Sequence, residues 1–247
     1  LPRFFVRSSQ IENGTVTILG DDAHHISRSL RMARGEEITV SDMQRNEYRC
    51  RLEEFLPDRV LASVIETGKG DTEPPFELVL FQALPKGDKL DTVIQKAVEC
   101  GAARIVPFES ERCIVHIKKE AEAHKTERRQ RIATEAAKQC GRGILPEVLP
   151  SVTFPEMLDA AKEAELTLFC YEGDGTVPIG RLLAGVTPEK VRCIAVVIGS
   201  EGGFSLDEAE KAKNAGFLLT GLGKRILRTE TAATFALAAI CAVTELS

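Results

Sequence analysis

From Glu77 onward, short apolar runs alternate with helical patterns, and this rhythm constrains the fold more than any other feature of the chain. ELVLFQA precedes LDTVIQKAVECG, ARIVPF precedes KKEAEAHKTERRQRIATEAAKQCG, and LTLFCYE follows. RCIAVVIG then precedes SLDEAEKAKNAG, and FLLTGLG precedes TAATFALAAICAVTEL. Runs that are apolar at consecutive positions suit strands buried on both faces. The pattern therefore predicts an α/β domain with a mostly parallel sheet covered on both sides. Ligands of such sheets gather at the carboxyl ends of the strands, so the loops that follow them are the places to look for chemistry.

The first seventy residues have a different rhythm. RFFV, TVTIL, EEITVSD, YRCRLEEFL and RVLASVIE are β-rich runs separated by Gly, Asn and Asp, with a helix predicted over 24–34. This predicts a small β-barrel-like domain with one helix. The polar stretch GKGDTEPP, with its Gly and Pro, marks the boundary to the α/β part.

No run approaches the roughly 20 apolar residues of a membrane span, and LPRFFVRSSQ lacks a signal-peptide core, so the expected compartment is the cytoplasm. The seven cysteines are widely spaced without a CxxC, which predicts neither a disulfide framework nor a zinc knuckle. The net charge of −5 argues against nucleic acid, but the charge is unevenly spread. Residues 112–146 hold nine Lys and Arg against four Asp and Glu, whereas the remainder holds 23 against 33. A basic island thus lies in an acidic chain.

Two loops stand out. In RCIAVVIGSEGGFSLDEAEKAKNAG, a buried strand runs into Gly199, Gly202 and Gly203, and Ser205 with Glu208 forms a capping-box signature for the next helix. The glycines permit a tight turn and close approach to a ligand, although an ordinary strand-to-helix turn has the same look. The loop is neither a Walker motif nor a GxGxxG fingerprint. In LTGLGKRILRTETAATFALAAI, Arg225, Arg228 and Glu230 stand beside Leu222, Gly223, Ile226 and Leu227. An apolar floor with a few fixed charges suits a flat purine with a charged tail. Arg228 and Glu230 would alternatively be a solvated pair at a helix entry.

These residues carry a family resemblance. Gly199-Ser200-Glu201-Gly202-Gly203-Phe204-Ser205 and Leu222-Gly223-Lys224-Arg225-Ile226-Leu227-Arg228-Thr229-Glu230-Thr231-Ala232 resemble the C-terminal signature of the RsmE family of SPOUT methyltransferases. Leu84-Pro85-Lys86-Gly87-Asp88-Lys89, Lys96-Ala97-Val98-Glu99-Cys100-Gly101, Ser110-Glu111-Arg112 and Ala136-Ala137-Lys138-Gln139-Cys140-Gly141-Arg142 extend the match across most of the chain. Lys138 and Cys140 stand where Glu and Ser are the commoner family choices.

The resemblance implies a PUA-like RNA-binding β-barrel domain over 1–72 and a SPOUT α/β domain with a C-terminal trefoil knot over 73–247. It also implies a homodimer with active sites at the subunit interface and S-adenosyl-L-methionine as cofactor. The reaction would be methylation of N3 of one uridine in 16S ribosomal RNA of the small subunit. Periodicity alone predicts an unknotted doubly wound domain. The rival readings are the same fold acting on another RNA or base, an inactive RNA-binding assembly factor, and a nucleotide-binding oxidoreductase.

Methyl transfer from a sulfonium donor needs no metal, and none is expected. Uracil N3 attacks well only after losing its proton, which calls for a base or for a cation that stabilises the charge on O2 and O4. Arg228 is the candidate for that cation. Lys96 and Glu99 are a possible substrate-side pair, or equally an i, i+3 surface ion pair. The candidate cofactor seat comprises Glu172, Ile198, Gly199, Glu201, Gly202, Gly203, Leu222, Gly223, Arg225, Ile226, Leu227, Glu230, Thr231 and Ala232. RNA contacts are expected from Arg28 and Arg31, three apart on the predicted helix, and from Lys86, Lys89, Arg112, Arg129 and Arg142. His24 and His25 read as structural. With Trp absent and two Tyr, extensive base stacking is not expected.

Overall fold

A computed structural model describes residues 1–246, with Lys119 described by its backbone alone. The chain forms two compact units. One comprises Leu1–Glu73 together with Ala137–Leu145, and the other comprises Pro74–Ala136 and the chain from Pro146 onward.

The first unit contains β1 (Arg3–Phe5), β2 (Ile11–Glu12), β3 (Thr15–Leu19), α1 (Gly20–His24), β4 (Glu37–Ser41), β5 (Asn46–Phe55) and β6 (Arg59–Lys69). They build one six-stranded sheet in the order β1-β4-β5-β6-β3-β2, in which β1 runs parallel to β4 and the other pairs are antiparallel. Alternation sets the buried face. Val16 and Ile18, Ile38 and Val40, Cys50 and Leu52, and Val60 and Ala62 all point inward with Phe4, Val6 and Ile26. The register shift after Arg49 leaves Ile65 as an extra residue in β6, and the one after Leu52 leaves Glu53 as an extra residue in β5, so the long β5–β6 pair bends at both points.

The helical segment differs from the expected 24–34. It begins at Gly20, continues as a π-helical turn over His25–Ser29 and then stops. Asp21 and Asp22 in the first turn favour the earlier start. Arg31 adopts φ 51°, in the left-handed region, so the chain leaves the helix before it. Arg28 and Arg31 therefore do not share a helix face.

The segment 137–145 is fastened within this unit by polar contacts. Ser41 Oγ donates to the Gly143 carbonyl (2.8 Å), Thr72 Oγ1 to that of Gly141 (3.0 Å) and Arg3 Nη1 to that of Arg142 (3.2 Å). Arg142 is held by Glu73: Nη2 lies 2.7 Å from Oε2 and Nε 3.0 Å from both carboxylate oxygens. Both side chains are 3% exposed. The RNA contact expected of Arg142 is thus replaced by a buried ion pair, since its guanidinium is already occupied and shielded. Lys138 pairs with Asp22 (2.7 Å) and lies 5.8 Å from the centre of the Phe4 ring, which gives this residue a structural place.

The second unit contains β7 (Glu77–Ala83), α2 (Lys89–Glu99), β8 (Ala102–Glu109), α3 (Lys119–Cys140), β9 (Glu147–Val148), β10 (Val152–Thr153), α4 (Phe154–Ala161), β11 (Leu166–Cys170), β12 (Val177–Pro178), α5 (Ile179–Leu182), β13 (Cys193–Ile198), α6 (Leu206–Asn214), β14 (Leu218–Gly221) and α7 (Thr229–Thr244). The final residues of α3, from Ala137, group with the first unit. The strand order is β10-β8-β7-β13-β11-β14-β12, with β9 also on β8, and every pair is parallel. The central strands β7 and β13 are buried along nearly their whole length, as continuous apolar runs require. The α/β expectation is met.

Within α3, Arg129 Nη1 donates to Glu122 (2.9 Å) and to Ser151 Oγ (3.0 Å), with side chains 7% and 11% exposed. Arg129 was expected on RNA. Two helical turns separate it from Glu122 on the inward face, and it is spent there. Arg128, by contrast, forms a surface pair with Asp91. The side chain of Lys119, also part of the basic island, lies outside the described residues. No helix among the described residues is long and apolar enough to cross a membrane.

Candidate functional site

Strands β13, β11 and β14 lie side by side and parallel, so the loops after them open at the same end of the sheet. Together these loops line a cavity of about 700 Å³, within the range of small-molecule sites. The β13 loop contributes residues 198–204, the β11 loop Cys170 to Gly173 with Thr176, and the β14 loop residues 221–229, with Ala232 on α7. Lys89 and Arg112 complete the rim.

Local chemistry explains the shape of the first loop. Gly203 N–H bonds the Ser200 carbonyl (2.9 Å), and Gly203 takes φ +63°, which only a residue without Cβ adopts readily. A Cβ on Gly202 would stand 2.9 Å from Arg112 Cβ and 3.2 Å from its carbonyl oxygen. That close approach lets Arg112 Nη1 donate to the Gly202 carbonyl (3.1 Å). The Phe204 ring, 4% exposed, packs 4.2 Å from Phe169 and pins the loop to the core. At the end of the loop Ser205 caps α6 in a full capping box with Glu208, as the sequence predicts. Ser205 Oγ also donates to Glu111 (2.7 Å), and Glu208 accepts the Glu111 N–H (2.8 Å).

Charge within the cavity is organised. Glu201 Oε1 accepts from Lys89 Nζ (2.7 Å) and from the Lys86 N–H (3.1 Å). Burial pushes the Glu201 carboxyl up, but the Lys89 and Lys86 bonds outweigh it and hold the group below the ordinary carboxylate value. Glu201 is therefore an anion at neutral pH and a poor base. Lys89 also lies 3.9 Å from Glu230 Oε2. Burial pushes the Cys170 thiol up to about 12, so it offers no thiolate. Counting its lining side chains, the cavity carries five cations (Lys89, Arg112, Lys224, Arg225, Arg228) against Glu172 and Glu201.

Of the expected cofactor seat, Glu172, Ile198, Gly199, Glu201, Gly202, Gly203, Leu222, Gly223, Arg225, Ile226, Leu227 and Ala232 line this one cavity, as does Arg228. Glu230 and Thr231 do not. Glu230 instead faces Lys89 from the first turn of α7, and Thr231 is exposed. Lys96 and Glu99 pair with each other on α2 (2.8 Å) and are not among the lining residues, so the surface-pair reading fits them. Of the expected RNA contacts, Lys89 and Arg112 line the cavity, Lys86 is exposed beside it, and Arg28 borders a separate small cavity of the first unit with His24 and Phe55.

Sequence reasoning missed Tyr171 and Thr176 on the β11 loop, which carries no motif. It also missed Gln82 and Thr229, which join the two motif loops beneath the cavity. Thr229 Oγ1 donates to the Gly199 carbonyl (2.6 Å), and Gln82 Nε2 donates to Thr229 Oγ1 (2.9 Å). A lone Gln within the apolar run ELVLFQA was the available signal for this pair.

Comparison with known proteins agrees with this geometry. A family model described as an RNA methyltransferase domain matches residues 72–241. Ribosomal RNA small subunit methyltransferase E of Bacillus subtilis is 34% identical, with 100% of this chain and 98% of the relative covered. The protein of the same name from Synechocystis is 34% identical over 98% of this chain and 78% of its own length. A crystal structure of a ribosomal RNA small subunit methyltransferase E from Neisseria gonorrhoeae, bound to S-adenosyl methionine, superposes with a TM-score of 0.83 at 32% identity, covering 98% of each chain. The α/β unit, the cavity at its strand ends and these full-length matches lead to one assignment: the chain belongs to the ribosomal RNA small subunit methyltransferase E family of RNA methyltransferases.

Proposed function

We propose that this protein methylates N3 of a uridine in the 16S ribosomal RNA of the small subunit, with S-adenosylmethionine as donor. The observation that carries the reading is the single cavity built from both motif loops at adjacent parallel strand ends. Its volume, its apolar side chains (Ile198, Leu222, Leu227) and its abundant loop peptide groups fit an adenosyl group with a charged tail. When bound, the donor supplies a methyl group on a sulfonium sulfur, open to in-line displacement.

The protein's part is placement and charge. Peptide groups of residues 199–203 and 222–227 hold the donor, and Glu172, exposed at the cavity edge, orients its cationic amino group. Glu201 keeps its own loop in place through Lys89 and the Lys86 N–H. Arg228 ends the second loop, exposed at the cavity, where its guanidinium stabilises the charge that reaches O2 and O4 as N3 loses its proton. The excess of cations around the cavity favours a phosphate-bearing substrate, with Lys86 and Arg112 as contacts in this unit and Arg28 and Arg31 in the first.

The first unit, with its mixed β-sheet, is read as PUA-like, and the second as a SPOUT domain whose C-terminal segment is knotted. A homodimer is proposed as well. Phe235 on α7 (41% exposed) and Ile226 at the cavity (84%) are apolar surfaces that a second copy would cover. The cytoplasm is the proposed location.

The test is transfer of labelled methyl from S-adenosylmethionine to undermethylated small-subunit particles, naked ribosomal RNA and transfer RNA. Label in small-subunit RNA, mapped to uridine N3, is expected. Label confined to transfer RNA would overturn the substrate.

A further inference from the structure

Gln82 lies on β7, between β8 and β13, and is fully buried. Its neighbours Leu80, Phe81, Ala83 and Leu84 are buried and apolar. An amide in such a place is costly unless its polar atoms are used. Its Oε1 has no hydrogen-bond partner among the described residues, so the donor side carries whatever benefit the residue brings. Nε2 donates to the Ala83 carbonyl (2.9 Å) and to Thr229 Oγ1 (2.9 Å), and lies 3.4 Å from the Gly199 carbonyl. Thr229 Oγ1 in turn donates to Gly199 (2.6 Å). The reverse orientation of the amide would point its oxygen at two carbonyls, which fixes the assignment of nitrogen and oxygen.

This network closes a triangle. Gly199 opens the first motif loop, and Thr229 follows Arg228 at the end of the second. The two are thirty positions apart in sequence and are joined by the hydroxyl and the amide. We infer that Gln82 is a positioning residue for methyl transfer: from beneath the cavity it sets the first loop, which holds the donor, against Arg228, which faces the target base. The inference rests on the donor-site reading above. Gln82 does not line the cavity, so it acts through Gly199 and Thr229. Each loop keeps its own contacts to the donor when the amide is lost. The deficit therefore falls on alignment, where a displacement of about 1 Å can reduce rate on the order of 100-fold.

Four variants test this with S-adenosylmethionine as probe and undermethylated small-subunit particles as acceptor. Gln82→Leu removes the donor and keeps most of the volume. Its kcat is expected to fall roughly 100-fold while the Kd for S-adenosylmethionine, from calorimetry, changes less than about tenfold. Thr229→Val should reproduce this loss, and Thr229→Ser, which keeps the hydroxyl, should restore activity. Gln82→Glu adds a pH readout. The neutral acid donates an O–H in place of the amide, whereas the anion turns an acceptor toward the Gly199 carbonyl. Its activity relative to the parent should therefore rise as pH falls. Parental kcat in Gln82→Leu, or a Gln82→Glu profile superimposable on the parent, overturns the inference. If Gln82→Leu does not fold, the Gln82→Glu profile and the Thr229→Ser against Thr229→Val contrast decide. Absence of donor binding by the parent protein would instead refute the underlying reading.

Discussion

Replacing Arg142 distinguishes a structural cation from an RNA contact. Its guanidinium makes three contacts of 2.7 to 3.0 Å with Glu73, and Glu73 Oε1 also accepts the N–H groups of Gly143 (2.7 Å) and Ile144 (3.2 Å). With each side chain 3% exposed, Arg142→Ala leaves a carboxylate out of water with only backbone donors. Removing one partner of such a pair costs about 3–5 kcal/mol, a large share of the roughly 5–15 kcal/mol that holds a domain folded. Arg142→Lys keeps the charge but loses the forked geometry, so it should recover only part of the loss. Urea unfolding followed by circular dichroism measures the stability change, and filter binding to ribosomal RNA near and below the new midpoint measures affinity. The reasoning predicts a large fall in midpoint with RNA affinity of the folded fraction unchanged. An Ala variant within about 0.5 kcal/mol of the parent that binds RNA weakly, with Lys restoring binding, would refute it.

Other consequences follow from the same geometry. Gly202→Ala drives a Cβ into Arg112, so the first loop must shift, and calorimetry should find S-adenosylmethionine bound about 10-fold or more weakly, on the order of 1–3 kcal/mol of overpacking. Arg228→Ala should abolish transfer with little change in thermal midpoint, because its side chain is exposed; comparable turnover in a single-turnover assay would remove it from the reaction. Burial pushes the Glu122 carboxyl up, but Ser151 and Arg129 outweigh it and hold the group below its ordinary value. A folded-state value below the unfolded one, near about 4.3, means the contribution is complete above that pH and is lost as pH falls through the folded value. The stability gap between the parent and Glu122→Gln should be widest at neutral pH and close in acid. A gap that widens in acid would contradict the sign.

Elements whose signal is local were legible in the sequence. TVTIL and ELVLFQA are strands β3 and β7 residue for residue, and Ser205 with Glu208 fixed the start of α6. Residues 146–165 hold only short elements: the two-residue strands β9 and β10 have no period to detect, and in the structure a full capping box of Thr153 with Glu156 starts α4. The site was legible where glycine and charge cluster in one stretch, as at 199–203 and 222–228. It was not legible where function depends on what folding brings together. A basic run does not disclose that Arg129 turns inward to Glu122, nor that Lys89 meets Glu201, 112 positions away. Gln82 is the clearest case, since its partners lie 117 and 147 positions on.

The central claim is that both motif loops form one seat for a methyl donor used on ribosomal RNA. Its most direct test is a single-turnover reaction of the folded protein with labelled S-adenosylmethionine and undermethylated small-subunit particles, followed by nucleoside analysis of the RNA. The account predicts one labelled product per particle, 3-methyluridine. Label on another nucleoside, or no transfer by a protein that binds the donor and the particle, would contradict it.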